Sequence, residues 1–170
     1  QSLGTANPSW AGSNGNWSSG SNWNNGTPTG AGAIAEFDNA TGTVNVTLDG
    51  PQTVGTLGFN SSHKYTLSGA AITLDGNGYD SLINVSQGSH EISAPINVTN
   101  IALLGGSVGF TLTNGANQIG TLAANAGSMN LTNSTSLNIG TVSGASGVTA
   151  SGALTLSVNG GIAANTAVNV

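Results

Sequence analysis

Phe110-Thr-Leu-Thr-Asn114 returns as Met129-Asn-Leu-Thr-Asn133, an offset of 19. Close by, Gln118-Ile-Gly-Thr-Leu122 returns as Asn138-Ile-Gly-Thr-Val142, an offset of 20. The same Gly-Thr unit stands earlier in Val54-Gly-Thr-Leu57. Each stretch alternates apolar with polar residues, the period of a strand with one buried face. Short strands that restart at a near-constant interval are the signature of a stacked repeat. A hairpin needs no likeness between its strands at a fixed lag. Stacking favours it, because each residue then lies on its counterpart one turn later. The expectation is an all-β chain wound as a parallel β-solenoid with about 19–20 residues per turn. Residues 33–170 at that period make roughly seven turns and a rod of roughly 35 Å, at about 4.8 Å per turn.

The pattern extends toward the N-terminus. Val44-Asn-Val-Thr-Leu48, Tyr65-Thr-Leu67, Ala71-Ile-Thr-Leu74, Leu82-Ile-Asn-Val85 and Ile96-Asn-Val98 all alternate. Asp49-Gly50 and Asp75-Gly-Asn-Gly78 punctuate them with residues that tolerate tight turns. No amphipathic helix is legible. Residues 1–32 differ. They carry Trp10, Trp17 and Trp23 among Gly, Asn and Ser, and Pro28 closes the stretch. The first coil of a solenoid exposes its core and needs a lid. The three tryptophans are expected to supply it, because indole rings bury large areas. Their other reading is an aromatic platform for sugars.

Composition narrows the function. Charged residues are 4% of the 170 and hydrophobic residues 37%. Lys64 is the sole cation beside six acids, giving a formal net charge of −5. Stacking in register would set like charges directly opposite one another, which destabilises a sheet. Asn and Thr can instead hydrogen-bond from turn to turn. With so little positive charge, nucleic acid and anionic membrane surfaces are excluded as partners. No apolar run is long enough to cross a membrane as a helix, and membrane insertion is not expected. Cysteine is absent, so stability must come from the backbone ladder. Gln1-Ser-Leu-Gly4 reads as a mature start left after signal cleavage, which suits a secreted chain.

Trp10, Gly15-Asn-Trp17, Asn22-Trp23, Pro28 and Ala35-Glu-Phe37, followed by Val44-Asn-Val46 and Val54-Gly-Thr-Leu-Gly-Phe59, resemble passenger regions of bacterial autotransporters. They also resemble autotransporter-type β-strand repeat proteins. The resemblance is carried by residues 10–100 and continues beyond them in style. It implies a right-handed parallel β-helix behind a tryptophan segment, secretion across a bacterial envelope, and residence at the cell surface or in the extracellular matrix. Such families contain adhesins, aggregation factors and enzymes. Passengers usually run for hundreds of residues into a membrane barrel, and the 170 residues up to Ala167-Val-Asn-Val170 read as the solenoid part alone.

Catalysis finds little material. Polysaccharide lyases of this shape use Arg or Lys with Asp-bound calcium, and Lys64 stands alone. Glycoside hydrolysis needs two carboxylates at a set separation. Glu36 and Asp38 share a strand face on the alternating pattern, and the competing reading is two solvated acids. His63 and His90 are read as exposed turn histidines. Zinc spacing is absent. Asp75, Asn77 and Asp80 set three oxygen donors on one loop, a weak Ca²⁺ candidate that a double turn explains as well. No other cofactor is expected. Sequons such as Asn45-Val-Thr47 follow from composition, and Thr-x-Thr units fall out of register, against an ice-binding array.

Two functions from different classes remain. One is structural: an extracellular solenoid that polymerises head-to-tail into a surface fibre or biofilm-matrix filament, with copies of itself as partner. The assembly edge would be Leu154, Leu156, Val158, Val168 and Val170, a terminal strand region without charge or Pro to block pairing. The other is an adhesin-like or carbohydrate-binding module. It would contact surface glycans or other cells through Trp10, Trp17, Trp23, Tyr65 and Tyr79.

Overall fold

Three strands per coil, each stacked on its counterpart in the neighbouring coil, build the protein. The computed structural model describes residues 6–170; the Gln1-Ser-Leu-Gly4 start lies outside them. Strand accounts for 54% and helix for 2%, and the parallel strands stack into a β-solenoid of about six turns. The first face runs through Ile34–Phe37, Thr56–Asn60, Ser81–Gln87, residues 101–104, residues 124–126, Val148–Ala150 and Val168–Asn169. The second face stacks Gln52–Val54, Ile72–Leu74, residues 96–98, residues 118–122, Leu137–Ile139 and Ile162–Ala164. The third stacks Gly15–Asn16, Val44–Leu48, Tyr65–Gly69, His90–Ile92, Gly109–Leu112, Ser128–Asn133 and Leu154–Val158.

Alternation does what it implies. Val44, Val46 and Leu48 point inward while Asn45 and Thr47 point out. Inward residues from all three faces make one continuous apolar core, from Trp10 to Val148. Outward, the third face carries the unbroken ladder Asn45, Thr66, Glu91, Thr111, Asn130 and Thr155. Its one charged rung, Glu91, is neutralised by Lys64 at 2.6 Å.

Of the two sequence repeats, one marks register and one does not. Phe110 pairs with Met129 and Leu112 with Leu131, the expected offset of 19. Gly-Thr recurs for another reason. A Cβ on Gly55 would lie 2.8 Å from the Gly32 Cα, and one on Gly120 would lie 2.6 Å from the Thr99 carbonyl oxygen. These glycines let the chain turn tightly against the coil below. Leu122 therefore pairs with Ile139, an offset of 17, and not with Val142 at 20. Coil length varies widely: Leu57 pairs with Ile83, Ile83 with Leu103, and Ala124 with Val148. The longer coils are why the turns number about six rather than seven.

Buried asparagines hold the corner where the third face passes to the second. Asn117 accepts from the Ile96 amide at 2.9 Å and donates to the Leu112 and Thr132 carbonyls, both at 3.0 Å. Asn133 accepts from the Ile119 amide at 2.8 Å and donates to the carbonyls of Ile119 and Thr135 at 3.0 and 2.9 Å. Each amide closes backbone groups that the corner would otherwise strand.

The tryptophan segment is a lid. Ser9–Trp10 pairs antiparallel with Trp23–Asn24, and the three indoles are buried. Trp23 sits edge-on to Trp10 and to Trp17, with centroids 4.9 Å apart in each pair, and all three pack on Phe37. Every indole N–H reaches a carbonyl: Trp10 to Ser13, Trp17 to Pro28 and Trp23 to Trp17. Asp49 clasps the lid from the first coil, accepting from the Ser18 amide at 3.1 Å and from its hydroxyl.

Candidate functional site

Burial removes most of the aromatic candidates. Trp10, Trp17 and Tyr65 have no exposed surface, and Trp23 has almost none. The expectation that they stack on a sugar is corrected: packing consumes their ring faces. Tyr65 points inward from the third face against Phe37 and Phe59. Tyr79 is the exception, 86% exposed.

Its loop, residues 75–80, leaves the corner between the second and first faces. Asp75 accepts from the Asn77 amide at 2.8 Å, and the Tyr79 amide donates to the Gly76 carbonyl at 3.2 Å. Asn77 and Gly78 have φ of 56° and 89°, the left-handed geometry that Asn and Gly accept. Asp80 then receives the Ser143 amide at 2.6 Å. Ser143 belongs to a second excursion from the same corner, three coils on: Thr141–Val142 and Ala145–Ser146 form a small antiparallel hairpin. Val142 and Ala145 lie on Ala102 and Ala123, which face outward from the first face yet are buried. The hairpin is a strap across the coils, and its tip braces the tyrosine loop.

Two grooves flank Tyr79. One, of about 460 Å³, lies on the second face and is lined by Thr73, Asp80, Asn97, Asn100 and Gln118. The other, of about 480 Å³, lies on the first face over Gly55, Ile34, Thr56 and Leu82, with Ser143 at its edge. The first presents amides and hydroxyls, the second an apolar floor. Register explains both. Thr73, Asn97 and Gln118 are successive outward rungs, as are Ile34, Thr56 and Leu82.

Of the calcium candidates, Asp75 and Asp80 line the polar groove. Both are already engaged by backbone amides, and Asn77 lies beside Gly32. Among the described residues no group of three or more His, Cys, Asp or Glu side chains is placed to hold a metal ion. Glu36 and Asp38 line a groove of about 240 Å³ with Asn60, Asn84 and Ser86. The strand ends at Phe37, so Asp38 lies just past it. Each acid takes an amide donor, Glu36 from Asn7 at 2.9 Å and Asp38 from Asn39 at 2.6 Å.

His63 is exposed, as expected. His90 is not, and that reading is corrected. Its ring stacks on Phe59 with centroids 4.7 Å apart. Nδ1 accepts from the Tyr65 amide at 3.1 Å, and Nε2 lies 3.0 Å from the Gln87 carbonyl. That pairing requires the neutral ring protonated on Nε2. Burial pushes its pKa below the usual 6.5.

The assembly-edge residues lie on the last coil. Leu154, Leu156 and Val158 are half-buried against the coil beneath, while Ile162, Val168 and Val170 are 48%, 43% and 78% exposed. The three strands of this coil pair on one side only. Comparison with family models, with curated proteins and with solved structures finds no match to this chain.

Proposed function

We propose that the protein is an extracellular structural β-solenoid that extends a bacterial surface fibre or matrix filament by head-to-tail stacking of copies. The observation that carries this reading is the difference between the two ends. At one end the indoles close the core. At the other, among the described residues, Leu154–Val158, Ile162–Ala164 and Val168–Asn169 each pair on one side and carry part-exposed apolar rungs. Uncharged free edges are templates for further strands, and contact between unlike ends propagates without closing. The lid keeps short edges of its own, Trp23–Asn24 and Gly15–Asn16, each paired on one side. Secretion and the kinship with autotransporter passengers belong to the same proposal. They rest on the tryptophan segment, the charge-poor surface and the solenoid.

The test is electron microscopy with sedimentation over a rising concentration series, comparing the parent chain with Leu156→Lys and Val168→Lys. A lysine on a strand edge opposes pairing, and Val168 is exposed enough to carry one without loss of core. Filaments or concentration-dependent growth in the parent, reduced in both variants, is the expected result. A parent chain that stays monodisperse at the highest concentration overturns the proposal.

A further inference from the structure

We infer that the two grooves beside Tyr79 form a binding site for an uncharged polysaccharide chain. The inference does not depend on fibre assembly.

Exposure is the first reason. An aromatic side chain left 86% exposed contributes nothing to the core, whereas the other four Trp and Tyr rings of this chain, Trp10, Trp17, Trp23 and Tyr65, are all inside. Rigidity is the second. The loop is closed on itself by the Asp75 to Asn77 contact and braced by the Ser143 to Asp80 contact from 63 residues away. The ring is thus mounted on a fixed base, which lowers the ordering cost of binding. Chemistry is the third. A sugar ring has an apolar C–H face and a rim of hydroxyls. Tyr79 and the Ile34, Thr56 and Leu82 floor match the face. Asn97, Asn100 and Gln118 match the rim, because amides both donate to and accept from hydroxyls. Sites of this kind combine apolar walls with a few placed polar groups.

Electrostatics selects the subclass. Asp75 and Asp80 border the polar groove. The chain's single cation, Lys64, is on the third face, paired with Glu91. A uronate, sulfate or phosphate would meet two carboxylates with no neutralising partner. The carboxylates accept hydrogen bonds from neutral hydroxyls. Groove walls built from successive coils suit an extended chain rather than a single sugar, since like rungs recur at about 4.8 Å.

Affinity gel electrophoresis against soluble laminarin, hydroxyethyl cellulose, mannan and starch, with alginate as the anionic control, tests the site. The parent chain is expected to be retarded by at least one neutral polymer and not by alginate. Tyr79→Ala should weaken that retardation about tenfold, and Tyr79→Trp should restore it. Both variants lie on an exposed loop and should melt at the parent temperature. Asn97→Ala should weaken binding from the opposite side of the site. Absence of binding to every neutral polymer overturns the inference. So does binding unchanged in Tyr79→Ala, or binding to alginate as strong as to the neutral polymers.

Discussion

His90 is the residue whose protonation the fold resists. Its Nδ1 lone pair receives the Tyr65 amide, so a proton there would set two donors face to face. Burial is the main cause of its lowered pKa. As pH falls through about 6.5, the unfolded chain takes up a proton that the folded chain refuses. The stabilisation is therefore complete above about pH 6.5 and declines below it, until the depressed folded pKa is passed. The melting temperature is expected to drop between pH 7 and pH 5, and to change much less in His90→Gln. Asp49 acts in a separate, more acidic window. Its Ser18 hydroxyl and amide contacts hold its carboxyl below 3.8, so its contribution is present above that value and is lost as pH falls through the depressed pKa. Tyr65 makes a different test. Its buried hydroxyl has the Asn39 and Ala40 amides nearby but closes no hydrogen bond, and desolvation pushes its pKa up to about 12. Removing an unsatisfied buried polar group is neutral or favourable. Tyr65→Phe should match the parent or exceed it by about 1 kcal/mol in urea denaturation.

At the scale of elements, the corner asparagines carry more than their propensity suggests. Asn133→Ala strands the Ile119 amide and carbonyl in the interior and releases the part-buried Thr135 carbonyl. With about 1–3 kcal/mol for a buried group left without its partner, a loss of about 3 kcal/mol is expected by urea denaturation. Asn133→Asp, which cannot donate when ionised, should recover little of it. These roles were half legible in the sequence. Asn114 and Asn133 end the two copies of the 19-residue repeat, which pointed to Asn133, but in the first copy the buried corner asparagine is Asn117, three residues past the repeat. Gly-Thr misled for a physical reason. It answers a local need, close approach at a corner, and that need recurs wherever the corner falls. Phe110 and Met129 answer a stacking need, and they alone reported the register. The Tyr79 loop was legible as a Gly-Asn-Gly turn. Its brace was not, because no pattern in Ser143-Gly144 points to a contact 63 residues earlier.

At the scale of the molecule, a solenoid's stability is a sum over coils and their neighbours. Coils in the middle, such as those of Ile96–Leu104 and Gln118–Ala126, are covered on both sides. The last coil has one neighbour, and its residues 162–165 and 167–170 are exposed throughout. Local opening is easiest where buried contacts are few. Amide hydrogen exchange in the dilute chain should therefore show slowest exchange in residues 96–126 and fastest at 154–169, with the lid protected by its indoles. Assembly changes only one of these levels. If a copy stacks on the open edge, the last coil acquires its second neighbour. Protection of residues 154–169 should then rise with concentration toward that of the central coils, while exchange at Tyr79 and along the hairpin at 141–146 stays constant. In Val168→Lys the rise should be lost, because the charge remains exposed only when the edge is free. A concentration-independent exchange pattern in the parent chain would leave the last coil without a partner and remove the physical basis for a fibre.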